Sequence, residues 1–131
     1  MDFIHINFIL ILLNACAFDV VHIKQTPVQL EQGQISERSF ELKKEVNISL
    51  GTGYSRTLKT GTKWDYVGMI SHGDVFKTKD QILTIEASNI YEAYIVISSG
   101  KLVGFYLPVE KSFSPLNNQI ELIMNEIVSQ P

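Results

Sequence analysis

A chain of 131 residues that is 45% hydrophobic and 10% aromatic carries enough apolar side chains for the core of one domain, which excludes a disordered polymer. The formal net charge is −3 and no run of like charge exceeds Lys43-Lys44, so the basic stripe that a nucleic-acid partner requires is absent from the sequence. The strongly apolar block at residues 8–13 is shorter than the roughly 20 residues of a membrane-spanning helix.

The opening stretch "MDFIHINFILILLNAC" has a short leading region, an apolar segment at residues 8–13 and a small residue, Ala15, directly before Cys16. That order is the secretory pattern. Cys16 is the only cysteine, so no disulfide is available to it. Leu13-Asn14-Ala15-Cys16 resembles the bacterial lipobox, in which a thiol receives a diacylglycerol and a signal peptidase then cuts before it. The resemblance implies a signal peptide over residues 1–15, lipidation of Cys16, and a single periplasmic β domain over residues 16–131. Ala17 in place of Asp implies the periplasmic face of the outer membrane. Acylation of this kind buries enough methylenes, at about 0.8 kcal/mol each, for stable anchoring. The competing reading is a buried N-terminal strand or helix with a free thiol, which behaves as a small hydrophobe.

Over residues 19–25, Val21 and Ile23 alternate with His22 and Lys24, the period of two that marks a half-buried strand, and Pro27 interrupts it. "VQLEQGQI" alternates briefly before Gly33. In "SERSFELKKEVNISLGTG", Phe40, Leu42, Val46, Ile48 and Leu50 share one parity, which predicts one long strand or two strands joined at Lys43-Lys44. The first half also suits a helix capped by Ser36, but "VNISLGTG" is β-branched and ends in glycines. The stretch "GTGYSRTLKTGTKWDY" holds three glycines and several hydroxyl residues and is expected to be largely loop, a length that is often functional.

Residues 64–88 read as short strands joined by tight turns. In "NIYEAYIVISSGKLVGFYLPVE", two apolar runs flank Ser99-Gly100, and a two-residue turn there pairs Ile97 with Leu102, Val96 with Val103 and Tyr94 with Phe105. Both faces of this hairpin are apolar, which places it at the centre of a sandwich or small barrel, or else makes one side an interface. In "NNQIELIMNEIVSQP", Ile120, Ile123, Met124 and Ile127 follow helical spacing with Asn117 or Asn118 as cap, while "IELIM" also fits a strand. The fold expected is mainly β: a small antiparallel, partly open barrel or sandwich of about six to eight short strands, with a short C-terminal helix.

Residues that carry chemistry are sparse. The histidines stand singly at 5, 22 and 72, without the spaced pair or second cysteine that a metal site uses. "GTGYSRT" lacks the Lys-Ser/Thr ending of a phosphate loop. Ser55, Ser71 and Ser99 have no nucleophile-elbow context, and the spacing of Asp65, Asp74, Glu86, Glu92 and Glu110 brings no two together. No enzyme, metal or cofactor is expected. What remains is a binding role, and Trp, Tyr and Arg are the residues that dominate protein interfaces. Tyr54 and Arg56, set among glycines, and Trp64 are the candidate anchors for a protein partner, although Trp64 suits a β core better.

The stretch from "GTGYSRTLKTGTKW" through "GDVFKTKDQILTIEASNIYEAYIVISSGKLVGFYLPVEKSFSPL" resembles a group of small proteobacterial envelope lipoproteins of unknown function, with similar "GTxW", "VGxIxxGDVF" and "LVGFYLPxExxFSPL" stretches. The likeness covers roughly residues 51–116. It implies a lipid anchor and supplies no activity; the role expected is a non-enzymatic accessory or assembly factor that binds another envelope protein. A second resemblance is to periplasmic lysozyme-inhibitor lipoproteins, small anchored β-barrels with a Ser-Gly-containing loop, which would give Ser99-Gly100 the inhibitory part. The disulfide common in that family cannot form here.

Overall fold

Short β-branched runs, each too short to bury a face alone, find their partners through a chain of antiparallel ladders. The computed structural model describes residues 23–32, 38–79 and 81–128. The expected signal peptide over residues 1–15, Cys16 and most of the first expected strand lie outside the described residues. The described residues form twelve strands and no helix: β1 (Thr26–Pro27), β2 (Arg38–Leu42), β3 (Val46–Ser49), β4 (Ser55–Leu58), β5 (Lys63–Ile70), β6 (Gly73–Thr78), β7 (Thr84–Glu86), β8 (Ile90–Glu92), β9 (Tyr94–Ser98), β10 (Lys101–Leu107), β11 (Ser112–Glu121) and β12 (Met124–Val128). That is more strands than the six to eight expected, because β1, β7 and β8 are only two or three residues long.

Eight strands make one antiparallel sheet in the order β1-β11-β10-β9-β6-β5-β2-β12, and β3-β4 and β7-β8 are separate two-stranded hairpins. The fold is mainly β and open, as the alternating runs predict. One face of the large sheet meets the two hairpins: Phe40, Trp64, Phe76, Ile95, Phe105 and Leu107 pack with Val46, Ile48, Leu58, Leu83 and Ile85. The other face buries Val75, Val96, Tyr106 and Phe113 under Val28 and Leu30, which follow β1. The β9-β10 hairpin occupies the middle of the sheet and is apolar on both faces.

The turn at Ser99-Gly100 has positive φ at both residues, 51° and 76°, as a type I′ hairpin requires. Ile97 pairs with Leu102 as the sequence implies, but the register then shifts: Val96 faces Gly104, Ile95 faces Phe105 and Tyr94 faces Tyr106. Val103 is an extra residue in β10. A one-residue bulge flips the parity of everything beyond it, so Phe105 and Leu107 join Leu102 on the hairpin-covered face. Gly104 lets β11 come close, since a Cβ there would lie 2.4 Å from the Ser114 carbonyl oxygen and 2.7 Å from Cζ of Phe113.

The expected C-terminal helix is replaced by strands. The carbonyl of Ile123 accepts from the Lys43 N–H at 2.8 Å and Leu122 N–H donates to Gly100 O at 3.0 Å, after which β12 pairs along β2 with Met124 opposite Leu42. A helix would have left the outer edge of β2 without ladder partners, and the apolar spacing of residues 120–127 did not exclude a strand. Pro27, expected to stop a strand, instead sits in β1 at the sheet edge, where a missing N–H costs least.

An aromatic chain runs through the main core. Phe40 stacks on Trp64 at 6.2 Å and meets Phe76 edge-on at 5.0 Å, and Phe76 meets Tyr66 edge-on at 5.5 Å. Arg38 closes one end of it, its guanidinium 4.9 Å from the Tyr66 ring centre, with Nη1 on Asp74 Oδ2 at 3.3 Å and Nε on Glu126 Oε1 at 2.8 Å. Burial opposes the charge on Arg38, but the two carboxylates outweigh it and its pKa lies above the ordinary value.

Candidate functional site

The glycine-rich stretch expected to be loop is mostly hairpin. Glycines 51 and 53 turn the chain, with Gly53 N–H on Leu50 O at 3.0 Å and Leu50 N–H on Tyr54 O at 2.8 Å. The residues that follow pair with β3: Ser49 with Ser55, Ile48 with Arg56, Asn47 with Thr57 and Val46 with Leu58. The loop reading failed because "SRTL" offers a single apolar residue, Leu58, and the pairing that makes it a strand is supplied by β3.

That register decides where the candidate anchors point. Arg56 stands opposite Ile48, a core residue, so it shares the inward side of the hairpin with Leu58. Tyr54 packs against the same core and its hydroxyl donates to the Thr84 carbonyl at 3.1 Å. Arg56 Nη1 donates to Thr84 Oγ1 at 3.4 Å, and Thr52 Oγ1 to Glu86 O at 3.3 Å. These three bonds sew the β3-β4 hairpin onto β7. Ala93 N–H on Leu83 O at 2.9 Å extends the β7-β8 ladder by one pair, and the hairpin is held to the core by the burial of Leu83, Ile85 and Ala93. Two elements that would each be marginal alone become one braced platform.

Trp64 is withdrawn as a surface anchor. It is 0% exposed, one of the largest fully buried side chains, and its ring is spent on Phe40. Its indole Nε1 has no hydrogen-bond partner and is the one buried side-chain nitrogen or oxygen in that condition among the described residues. The platform instead presents Ile82 and Ile90, 68% and 70% exposed, just before β7 and at the start of β8.

Between the β4-β5 turn on one side and Thr78 and residues 81–83 on the other lies a cleft of about 630 Å³. It is lined by the buried Leu58, Trp64 and Leu83 and by Arg56, Lys59 and Lys63, of which Lys63 stands opposite Glu41 in the β2-β5 ladder. The walls are fixed by their own turns: Thr62 Oγ1 donates to Lys59 O at 2.6 Å, and the Thr78 hydroxyl donates to the Gln81 carbonyl. Lys59 and Lys63 escaped the sequence reading. The signal was present in "RTLKTGTK", residues 56–63, which holds three cations and no acid.

The other expected sites are dispersed. Among the described residues no three His, Cys, Asp or Glu side chains converge as metal ligands. His72 stacks on Phe113 at 4.0 Å. The Ser99-Gly100 turn is short, and its Gly100 carbonyl is engaged by Leu122 N–H. No family model, curated protein or solved structure matches this chain.

Proposed function

We propose that the chain is a lipid-anchored protein of a bacterial envelope, attached through Cys16, that acts without catalysis by binding another envelope protein. The anchor rests on the apolar run, small residue and lone thiol of residues 8–16. The binding role rests on one structural observation: the platform in which Tyr54, Arg56 and Thr52 bond the two hairpins together leaves Ile82 and Ile90 in solvent. A rigid surface loses little conformational freedom on association, and exposed apolar side chains on it are what a partner would bury.

Labelling cells with a palmitate analogue tests the anchor, with incorporation expected in the native chain and none in Cys16→Ser. Capture from detergent-solubilised envelopes tests the role, with one partner expected on the native chain and lost on Ile82→Asp/Ile90→Asp. Equal capture by both forms would refute it. The lysozyme-inhibitor reading makes a different demand, stoichiometric block of a muramidase that is lost on lengthening the Ser99-Gly100 turn, and that result would replace the proposal.

A further inference from the structure

Cys16 stands seven residues before Ile23, a buried residue of the main core. Seven residues span at most about 25 Å, while a domain of this size is roughly 30 Å across, so a lipid on Cys16 holds the membrane to the Ile23 side of the fold. Ile23 and Lys24 line a hollow of about 160 Å³ together with Gly51 and Thr52 of the β3-β4 turn and Asn117 of β11. Thr52 Oγ1 donates to Glu86 O at 3.3 Å, and Glu86 pairs with Ile90 across the β7-β8 turn, so the two turns stand together beside Ile23. Neither turn carries a charge: residues 50–55 read LGTGYS and residues 87–89 read ASN, with Glu86 flanking the second. Among the described residues lining the hollow, the one charge is the exposed Lys24.

We propose that the end of the domain formed by the β3-β4 and β7-β8 turns rests on the headgroup layer of the membrane that holds Cys16. The inference rests on the anchor proposed above and deepens the binding role. Ile90, at the start of β8, then stands at the height of the headgroups, and the partner presents its matching surface there. A short tether keeps the nearby turns at high effective concentration against the lipid surface. Turns without charge lose little when headgroups displace their water, and a cation at their margin meets the negative charge of anionic lipids. The other end of the β1-β11 pair is charged, since the chain there holds Glu110 and Lys111, with Val28 N–H on Lys111 O at 3.1 Å. That end faces away from the bilayer.

The full chain is coupled through its sole thiol, Cys16, to a maleimide lipid in phosphatidylcholine vesicles containing phosphatidylglycerol, which supplies the tether whether or not cells acylate that residue. An environment-sensitive fluorescent amino acid replaces Asn89 in the β7-β8 turn or Glu110 in the β10-β11 turn, and a lipid with a headgroup nitroxide is the quencher. Both positions are exposed turn residues, so both forms keep the fold. The expected result is quenching at position 89 about twofold or more that at position 110. A smaller ratio, stronger quenching at position 110, or none at either overturns the proposal. Failure of the anchor reading shows separately, as absent palmitate incorporation in cells, on which the coupled chain does not depend.

Discussion

The Tyr54 hydroxyl donates to the Thr84 carbonyl at 3.1 Å, across thirty positions of sequence, and this bond pins the β3-β4 hairpin to β7. It makes Tyr54 a brace inside the platform, with its ring against the core. Tyr54→Phe removes one hydrogen bond and is expected to cost about 1 kcal/mol. Tyr54→Ala also strips the packing of a half-buried ring and is expected to cost about 2–3 kcal/mol, below the range for a fully buried aromatic. Denaturant midpoints of the two variants at unchanged m-value check this.

Trp64 separates two contributions at one position. Trp64→Ala empties the end of the aromatic chain that stacks on Phe40, at a side chain with no exposed surface, and a loss of about 3–5 kcal/mol is expected. Trp64→Phe leaves a smaller void and also removes the unpartnered Nε1, whose burial costs about 1–3 kcal/mol. The phenylalanine variant should therefore lose less than half of what the alanine variant loses, as read from thermal or chemical unfolding.

Much of the β architecture was legible because it is written in period two. Phe40, Leu42, Val46 and Ile48 keep one parity and all reach the core, with the bend at Lys43-Lys44 where the charges stand. Ser99-Gly100 announced its turn. The parity switch after Leu102 was not legible, because it depends on β11, where residues 116–119 stand opposite Val103 alone. The placement of Arg56 was hidden for a related reason: its side is set by pairing with Ile48, not by its neighbours in sequence. Residues 120–127 fit helix and strand equally by spacing, and the free edge of β2 decided between them. Trp64 could not be assigned to core or surface by type, since tryptophan serves both.

Gly104 is expected to tolerate no side chain. Its Cβ would meet the backbone oxygen of Ser114 as well as the Phe113 ring, and a backbone atom cannot swing aside. Gly104→Ala should push β11 from β10 and destabilise by about 2 kcal/mol or more, in the class of strained core substitutions. Gly100→Ala, where the space is open, meets only the conformational penalty of positive φ. Comparing the two by unfolding distinguishes close approach from turn strain.

The pH dependence has an alkaline limb from Tyr94. Burial, then the charge of Glu92 and then Tyr106 raise its pKa above the ordinary 10.0. The folded state therefore holds the phenolic proton more tightly, a contribution fully present below pH 10 and lost as pH rises through the folded value. Tyr94→Phe should flatten that limb. At the acid end, the hydrogen bond from Lys43 and then its charge, with the charge of Lys63 behind them, hold the Glu41 carboxyl below the ordinary 4.5, so a small contribution present above that pH is lost as pH falls. Lys43→Gln should remove most of it, leaving the part due to Lys63.

The claim at the centre is that a Cys16-anchored chain meets its partner through the braced hairpins, and site-specific photo-crosslinking in intact cells tests it most directly. A photoreactive residue is placed at Ile90 on the platform, and in a parallel strain at Lys101, exposed at the far end of the β9-β10 hairpin. The expected result is one discrete higher-mass adduct from position 90, none from position 101, and loss of the adduct when Cys16→Ser is combined with the first. Equal adducts from both positions, or none from position 90 in cells where the chain is lipidated and folded, would contradict it.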